Sequence, residues 1–172
     1  MLVPLPTRTA IVQESERDAA RIARMLPQTT SDGTLSTTLP CGTAFGIPEY
    51  VCESPLTPGN VIFCLTDLSR AARNLNDNNG ASVMIKADAA SGSLVTNPRV
   101  TLVGKVGEVS QEDKEAVKKV YVEVHPDSRH YVQWADFRFY ELSVESVYFV
   151  GGFGGQHYIG PVGLELYRSA QP

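Results

Sequence analysis

The segment from His125 to Gly155 reads HPDSRHYVQWADFRFYELSVESVYFVGGFGG and contains the clearest strand pattern in the chain. Between Phe137 and Val144, apolar residues alternate with charged and small polar ones, which predicts a long strand with one buried and one solvated face. Glycines fill most of residues 151–155, where they permit backbone angles and close approaches that a Cβ atom prevents. A strand that ends in this way indicates space for a flat ligand or for another chain.

The composition is that of an ordinary globular domain. The 172 residues are 42% hydrophobic and 20% charged, which is enough for one domain with a substantial core. The net charge of −4, without a basic stripe, argues against a nucleic-acid partner. No apolar run reaches the length of a membrane span, and the N-terminus lacks a signal-peptide core. We therefore expect no membrane partner and a cytoplasmic or organellar location.

The cysteines do not indicate a metal site. Cys41, Cys52 and Cys64 are unevenly spaced, form no CxxC pair and have no matching histidine cluster. Cys52 and Cys64 lie in strand-like runs, and we expect them to be small buried hydrophobic residues.

The elements follow from periodicity and end signals. Ser15 predicts the start of a helix that ends at Leu26, before Pro27. Asp67 predicts the cap of a second, short helix, and a third amphipathic helix is expected before the His125 segment. Gly104 and Gly107 mark bulges or bends in a long strand. The predicted strands are residues 34–39, 44–52, 60–66, 81–86, 99–109 and 137–150, and the helices are residues 15–26, 68–76 and 111–124.

These elements predict an α+β protein with a six-stranded antiparallel β-barrel and flanking helices. The first three strands are expected to form a meander. We expect an N-terminal arm over residues 1–14, the barrel domain over residues 15–155 and a C-terminal tail over residues 156–172. Such a barrel leaves a groove that a second copy commonly covers, so a homodimer is expected.

The chain lacks the common catalytic motifs. It has no G-x-S-x-G, no Walker loop, no HExxH and no Rossmann glycine pattern, so a bound cofactor would have to carry any chemistry. In residues 66–74, backbone amides at a helix start, together with Ser69, Arg70 and Arg73, suit an anionic group such as a phosphate or propionate. The alternative interpretation is an ordinary capped surface helix.

Three further residues are candidates for ligand binding. Arg99 begins a long strand and either lines a groove or is a solvated strand-end charge. His157 follows the glycine turn, where an imidazole either ligates a haem iron or is simply exposed. Trp134 precedes the predicted strand of residues 137–150, which we call the signature strand, and either stacks on a flat ring or packs in the core or an interface.

The order of several blocks is similar to a known family. The blocks are residues 33–37, 68–75, 98–104, 125–126, 135–142 and 151–154. Together they resemble the pyridoxamine 5'-phosphate oxidase-like, FMN-binding split barrels, and within them the branch that holds HugZ-type haem-degrading proteins and CREG glycoproteins. The last block is the more specific part of this resemblance.

The resemblance implies a split-barrel homodimer with a ligand groove between the subunits. In FMN-binding members the segment matching residues 66–74, which includes Asn74, helps to hold the phosphate, and an arginine matching Arg99 lines the pocket. In HugZ-type members haem occupies this region, with an axial histidine from a C-terminal loop in a place comparable to that of His157. CREG proteins keep the fold without the flavin.

The chain also departs from these relatives. Ala71 and Ala72 replace the His-Thr pair of many bacterial members, and the substrate-recognition residues of true pyridoxamine-phosphate oxidases are not evident. We therefore expect a planar anionic cofactor, haem or FMN, with haem favoured because of His157. Any activity would be that of a haem-degrading or flavin-dependent oxidoreductase. The alternative is a non-enzymatic, CREG-like interaction protein that has lost flavin binding.

Overall fold

The computed structural model describes residues 13–88 and 94–171, so nearly all of the predicted N-terminal arm lies outside the described residues. The helices are α1 (Glu16–Thr29), α2 (Arg70–Asp77), α3 (Lys114–Val124) and α4 (Leu164–Ser169), with short 3-10 turns at Leu94–Thr96 and Pro126–His130. The strands are β1 (Asp32–Thr38), β2 (Ala44–Tyr50), β3 (Cys52–Glu53), β4 (Val61–Thr66), β5 (Gly80–Lys86), β6 (Arg99–Glu108), β7 (Phe137–Val150) and β8 (Ile159–Val162).

The strands form one antiparallel sheet in the order β2-β1-β5-β6-β7-β4-β3, with β8 added to β7. The sheet curls until β2 contacts β4. This confirms the predicted α+β split barrel. The described part of the chain contains eight strands rather than six, because the second predicted strand divides at Val51 and β8 adds another.

The signature strand β7 organises the sheet. Its first half pairs with β4, from Phe137 opposite Thr66 to Leu142 opposite Val61. Its last four residues pair with β8 on the same edge, while β6 runs along the opposite edge. A strand of 14 residues is long enough to pair first with β4 and then with β8 along one edge, which is why the barrel splits here.

The predicted irregularity at Gly104 is confirmed as a β-bulge, whereas the one predicted at Gly107 is wrong, because Gly107 pairs in regular register with Glu141. The register between β6 and β7 shifts between Val103 and Gly104, and Glu145 is the extra residue on β7. A Cβ atom on Gly104 would overlap the carbonyl oxygen of Ser143, so this close crossing requires glycine. The bulge also reverses the alternation, so that Val144 and Val147 both face the core.

The core has two parts on opposite faces of the sheet. The larger lies under α1, α2 and α4, and the smaller lies under α3. On β4, Phe63 faces the larger part and Ile62 the smaller, so this strand is buried on both faces as predicted. Cys52 and Cys64 are buried, as expected from the sequence.

Helix α1 begins as predicted but ends later. Ser15 and Asp18 form a reciprocal capping box at its start. The prediction that Pro27 ends the helix is wrong, because the helix continues to Thr29 with Pro27 buried inside it. Proline removes only one backbone hydrogen bond in a last turn, and burial of its ring compensates there.

Three local predictions also need correction. Ser69, not Asp67, caps α2 through a 3.0 Å hydrogen bond from the Ala72 amide to its hydroxyl. Strand β1 begins at Asp32, two residues before the predicted start, because Asp32 pairs with Tyr50. The expected meander of the first three predicted strands is present only in part: the second strand pairs with the first along β2 but with the third only through Cys52 of β3, while β4 pairs over its whole length with β7.

Residues 156–171 are not an irregular tail. They contain β8 and α4, and α4 packs against α1 and β7. Tyr167 on α4 is fully buried and donates a 2.9 Å hydrogen bond to the Gly59 carbonyl. The helices of the described residues are all too short or too polar to cross a membrane.

Candidate functional site

A cavity of about 640 Å³ lies between the glycine turn and the start of β6, and we call it the glycine-loop cavity. Its volume is in the range of small-molecule sites. It contains both Arg99 and His157, which are far apart in sequence. Its lining residues are Gln13, Val95, Arg99, Val150, Gly152, Phe153, Gly154, Gly155, His157, Tyr158 and Ile159.

The sheet register places one wall of this cavity. Arg99 on β6 lies opposite Val150 on β7, and Val150 lies opposite Ile159 on β8. Residues in register across neighbouring antiparallel strands point to the same face, so these three side chains form one row. The pairing of β8 with β7, which the sequence did not predict, is therefore what brings the loop beside Arg99.

Hydrogen bonds close the base of the glycine turn, residues 151–155, and its tip is exposed. The Gly151 amide donates a 2.8 Å hydrogen bond to the Tyr158 carbonyl, and the His157 amide bonds the Gly154 carbonyl at 3.3 Å. Gly154 has φ of +92°, which L side chains rarely adopt. Phe153, at the tip, is 74% exposed and offers an aromatic face to the cavity mouth.

Glu14 supports the His157 side chain. The imidazole packs against Gly152, with Nδ1 3.8 Å from the Glu14 Oε2 atom, and its side chain is 43% exposed. The same carboxylate oxygen accepts a 2.7 Å hydrogen bond from the Tyr158 amide. A carboxylate beside one ring nitrogen is the usual arrangement for orienting a metal-binding histidine, whose other nitrogen then faces the metal.

Arg99 is half-buried and held by backbone carbonyls. Its Nη1 atom donates to the carbonyls of Leu94 at 3.2 Å and Asn97 at 3.3 Å. These bonds keep the guanidinium at the cavity edge without neutralising its charge. A guanidinium in this position suits a carboxylate ligand group.

The candidate binding residues at the start of α2 lie outside the glycine-loop cavity. Ser69 uses its hydroxyl to cap the helix. Arg70 and Arg73 are exposed, and the Arg73 Nε atom donates to the Asp67 carbonyl at 3.4 Å. Asn74 is 1% exposed and donates a 2.9 Å hydrogen bond to the Thr37 hydroxyl. None of these four residues lines the glycine-loop cavity.

Trp134 also lies apart from Arg99 and His157. Its ring is 57% exposed and meets Phe137 edge-on at a centroid distance of 5.9 Å. It lines a small cavity beside Arg138 and the start of α3. The structure thus brings two of the seven predicted site residues, Arg99 and His157, together in one cavity. The other five lie outside this cavity. Their predicted binding roles stay predictions.

A second cavity, of about 430 Å³, lies at the end of β4 near the start of α2, and we call it the acidic cavity. Two carboxylates line it, and no arginine or lysine among the described residues does. Burial raises the pKa of Glu49 from the ordinary 4.5 of a glutamate to about 7. The lining residues are Asp32, Pro48, Glu49, Tyr50, Cys64, Leu65, Thr66, Ser69, Tyr121, Tyr131 and Phe137.

Inside the acidic cavity a phosphate would lie near the Glu49 carboxylate, and Ser69 already uses its hydroxyl as a helix cap. Of residues 66–74, on which the resemblance placed the FMN phosphate, only Thr66 and Ser69 line this cavity, and the exposed Arg70 and Arg73 do not. Sequence reasoning missed Glu49, because a lone glutamate in an alternating strand has no distinguishing pattern. No group of three or more His, Cys, Asp or Glu side chains in the described ranges is arranged to hold a metal ion.

Comparison with known proteins gives the family. A family model described as CREG, beta-barrel, matches residues 14–169. The structure is similar to that of a haem-binding protein from Mycobacterium smegmatis, at a TM-score of 0.81 and 26% identity. The match covers 89% of this chain but only 61% of that protein, so the chain spans about three fifths of its length. No protein with a curated description matches the sequence significantly.

Two more distant structures share the fold. HutZ, described as a haem storage protein from Vibrio cholerae, has a TM-score of 0.57 at 20% identity, with 78% of this chain and 95% of that one covered. A FAD-binding protein from Mesorhizobium loti has a TM-score of 0.59 at 13% identity, with 73% and 89% covered. The predicted split-barrel resemblance is thereby confirmed, and its structural relatives include both haem-binding and flavin-binding proteins.

Proposed function

Because the chain belongs to the CREG β-barrel family, whose model matches residues 14–169, we propose that it is a homodimeric split-barrel protein that binds haem in the glycine-loop cavity. One observation carries this proposal. Arg99, which the sequence marks as a candidate for lining the ligand groove, and His157, its candidate ligand for a haem iron, line the same cavity. The most similar relative quoted above is itself described as haem-binding.

The cavity residues suit the parts of a haem. The Arg99 guanidinium would bind a propionate, and the His157 imidazole would bind the iron. Apolar side chains such as Val150 and Ile159 would cover one face of the ring, and the glycines allow a flat group to approach the backbone. When bound, haem would supply electron-transfer or oxygen chemistry, and the protein residues would orient it and limit its access to water.

Haem fits better than FMN because the two cavities differ in charge. The glycine-loop cavity contains a guanidinium, whereas the acidic cavity, where the FMN phosphate was expected, contains carboxylates and no basic side chain. A phosphate carries more charge than a propionate and needs more basic or amide donors. We therefore place haem first and FMN second.

A homodimer would complete this site. On the face of the sheet away from the main core, β6, β7 and β8 expose Val103, Tyr148 and Ile159, and Phe153 lies beside them. Contiguous apolar side chains of this kind mark interaction surfaces. Ile159 and Phe153 also line the glycine-loop cavity, so a partner on this face would cover the cavity mouth.

A second candidate function is a non-enzymatic, CREG-like interaction protein. The observation that favours it is the acidic cavity, because none of its described lining residues is basic and Ser69 acts as a helix cap. In this case the same exposed face would serve protein association without a cofactor.

Titration of the purified chain with hemin, followed by absorbance, tests the proposal. We expect a shifted Soret band at micromolar hemin in the wild type. The variant His157→Ala should lose the spectrum of the axial ligand, and Arg99→Gln should weaken binding by about tenfold, as expected for one lost charged hydrogen bond. His130→Ala is the matched control, because His130 is an exposed histidine outside the cavity.

Two results would reject haem binding: an unshifted Soret band in the wild type, or a His157→Ala spectrum identical to that of the wild type. FMN fluorescence in the same buffer should stay unquenched. Light scattering should give twice the 18.7 kDa of one chain. A dimer that binds neither hemin nor FMN would support the second candidate, and a monomer would contradict the interface in both.

A further inference from the structure

The acidic cavity has features of a ligand site, although its charge excludes the phosphate expected there. It encloses about 430 Å³ and is built from β2, β4, α3 and the segment before β7. Its walls carry four aromatic rings, those of Tyr50, Tyr121, Tyr131 and Phe137. Cavities with aromatic walls and few polar groups are typical small-molecule sites.

The rings are fixed by their neighbours. Tyr50 stacks on His125 at a centroid distance of 4.5 Å, and its hydroxyl donates a 2.9 Å hydrogen bond to Asp127. Tyr121 is buried, with its ring 4.8 Å from that of His125. Tyr131 lies 4.9 Å from the Phe137 ring. The aromatic walls are therefore in place before any ligand enters.

Glu49 has no counter-charge of its own. The backbone of Glu49 pairs with Gly33 of β1, but within residues 13–88 and 94–171 its half-buried side chain makes no hydrogen bond or ion pair. Its carboxylate acts instead on the cavity thiol, since burial first and Glu49 second raise the pKa of Cys64 to about 12. A partly buried carboxylate without a partner is costly to the fold, and in a cavity it indicates a binding role.

We propose that the acidic cavity binds a small organic cation, with Glu49 as its counter-charge and the rings of Tyr50, Tyr121 and Tyr131 as its walls. A cation over an aromatic face is attracted by the ring quadrupole, and a carboxylate adds a direct charge interaction. Alkylated ammonium groups match best, because they combine a positive charge with an apolar surface. This site is separate from the glycine-loop cavity and does not depend on haem binding.

Binding should depend on pH through Glu49. The other titratable groups that line the cavity or contact its lining residues are Asp32 on β1, Tyr50 on β2, Cys64 on β4, Tyr121 and Lys114 on α3, and His125, Asp127 and Tyr131 before β7. The pKa values of Cys64 and Tyr131 are raised to about 12, so both stay neutral near pH 7. Glu49, with a pKa of about 7, is then the group that ionises between pH 6 and 8.

The test uses choline, its uncharged isostere 3,3-dimethylbutan-1-ol, and inorganic phosphate, each titrated into the full chain by NMR. At pH 8 we expect saturable choline binding that is at least tenfold tighter than that of the isostere, and no phosphate binding. Choline affinity should rise severalfold from pH 6 to 8. In Glu49→Gln the affinity for choline should fall at least tenfold and lose its pH dependence, while that of the isostere stays unchanged.

Glu112→Gln is the matched control, because Glu112 is exposed and lies outside the cavity. Glu49→Gln removes an unpaired charge and should fold at least as well as the wild type, so a loss of binding cannot be attributed to unfolding. Equal affinities for choline and its isostere, or unchanged choline binding in Glu49→Gln, would overturn the proposal. If choline does not bind and Glu49→Gln weakens the dimer, the proposal is also overturned. The partner of Glu49 would then be a basic side chain of a second copy of the chain.

Discussion

The titration of Glu49 gives a sharp test of the structure. Burial raises its pKa from 4.5 to about 7, so the folded chain holds the proton more tightly than the unfolded chain does. Its contribution to stability is therefore fully present below pH 4.5 and is lost as the pH rises through about 7. The variant Glu49→Gln cannot titrate and should escape this loss.

The expected magnitude follows from the two pKa values. A difference of about 2.5 between them corresponds to at most about 3 kcal/mol. Glu49 is only half-buried, and solvent screens part of the effect, so we expect about 1–2 kcal/mol. At pH 8 Glu49→Gln should thus be more stable than the wild type by this amount, or by about 2–8 °C in Tm. At pH 4.5 the two proteins should differ little.

Urea denaturation of both proteins from pH 4.5 to 8, with Glu112→Gln as an exposed control, measures this difference. Groups other than Glu49 titrate alike in both proteins, so the difference between their curves isolates this residue. A difference that does not change with pH, or a wild type that is the more stable protein at pH 8, would show that Glu49 is not a buried, unpaired carboxylate.

Three further substitutions, with Gly107→Ala as a control, test the fold by chemical denaturation. Gly104→Ala should lower the free energy of unfolding by about 2–4 kcal/mol, because the new Cβ atom would overlap the backbone of β7. Gly107→Ala is the control: its new Cβ atom has no neighbour within 4 Å, so stability should change by less than about 1 kcal/mol. Equal effects would contradict the bulge. Tyr167→Phe should cost about 1–2 kcal/mol, since it leaves the buried Gly59 carbonyl without its donor; no loss would argue against the docking of α4. Ser69→Ala should lower the free energy of unfolding by about 1 kcal/mol, because the helix cap is lost, and should leave the hemin titration unchanged. A loss of hemin binding in this variant would show that Ser69 takes part in the cofactor site.

Much of the fold could be predicted because local patterns report local structure. The alternation in residues 137–150 reflects the two-residue period of a strand, and the signal at Ser15 reflects backbone groups a few residues away. The resemblance to split barrels rests on the same local blocks, and it correctly gave the class of the fold.

The predictions that failed all depended on distant partners. Pro27 remains helical because the core covers it. The last 16 described residues form β8 and α4 because β7 has a free edge beyond β4 and because Gly59 accepts the Tyr167 hydroxyl. No local pattern reports these contacts, since propensity is weaker than tertiary packing.

The sequence by itself determined the strand and helix periods, the bulge, the burial of two cysteines and the candidates Arg99 and His157. Only the tertiary structure decided that these two residues share a cavity, that Ser69 and Asn74 do not join them, and that Glu49 lies unpaired among aromatic rings. The physical reason is that alternation along a strand fixes which face a side chain takes, whereas the pairing of strands fixes which side chains it meets.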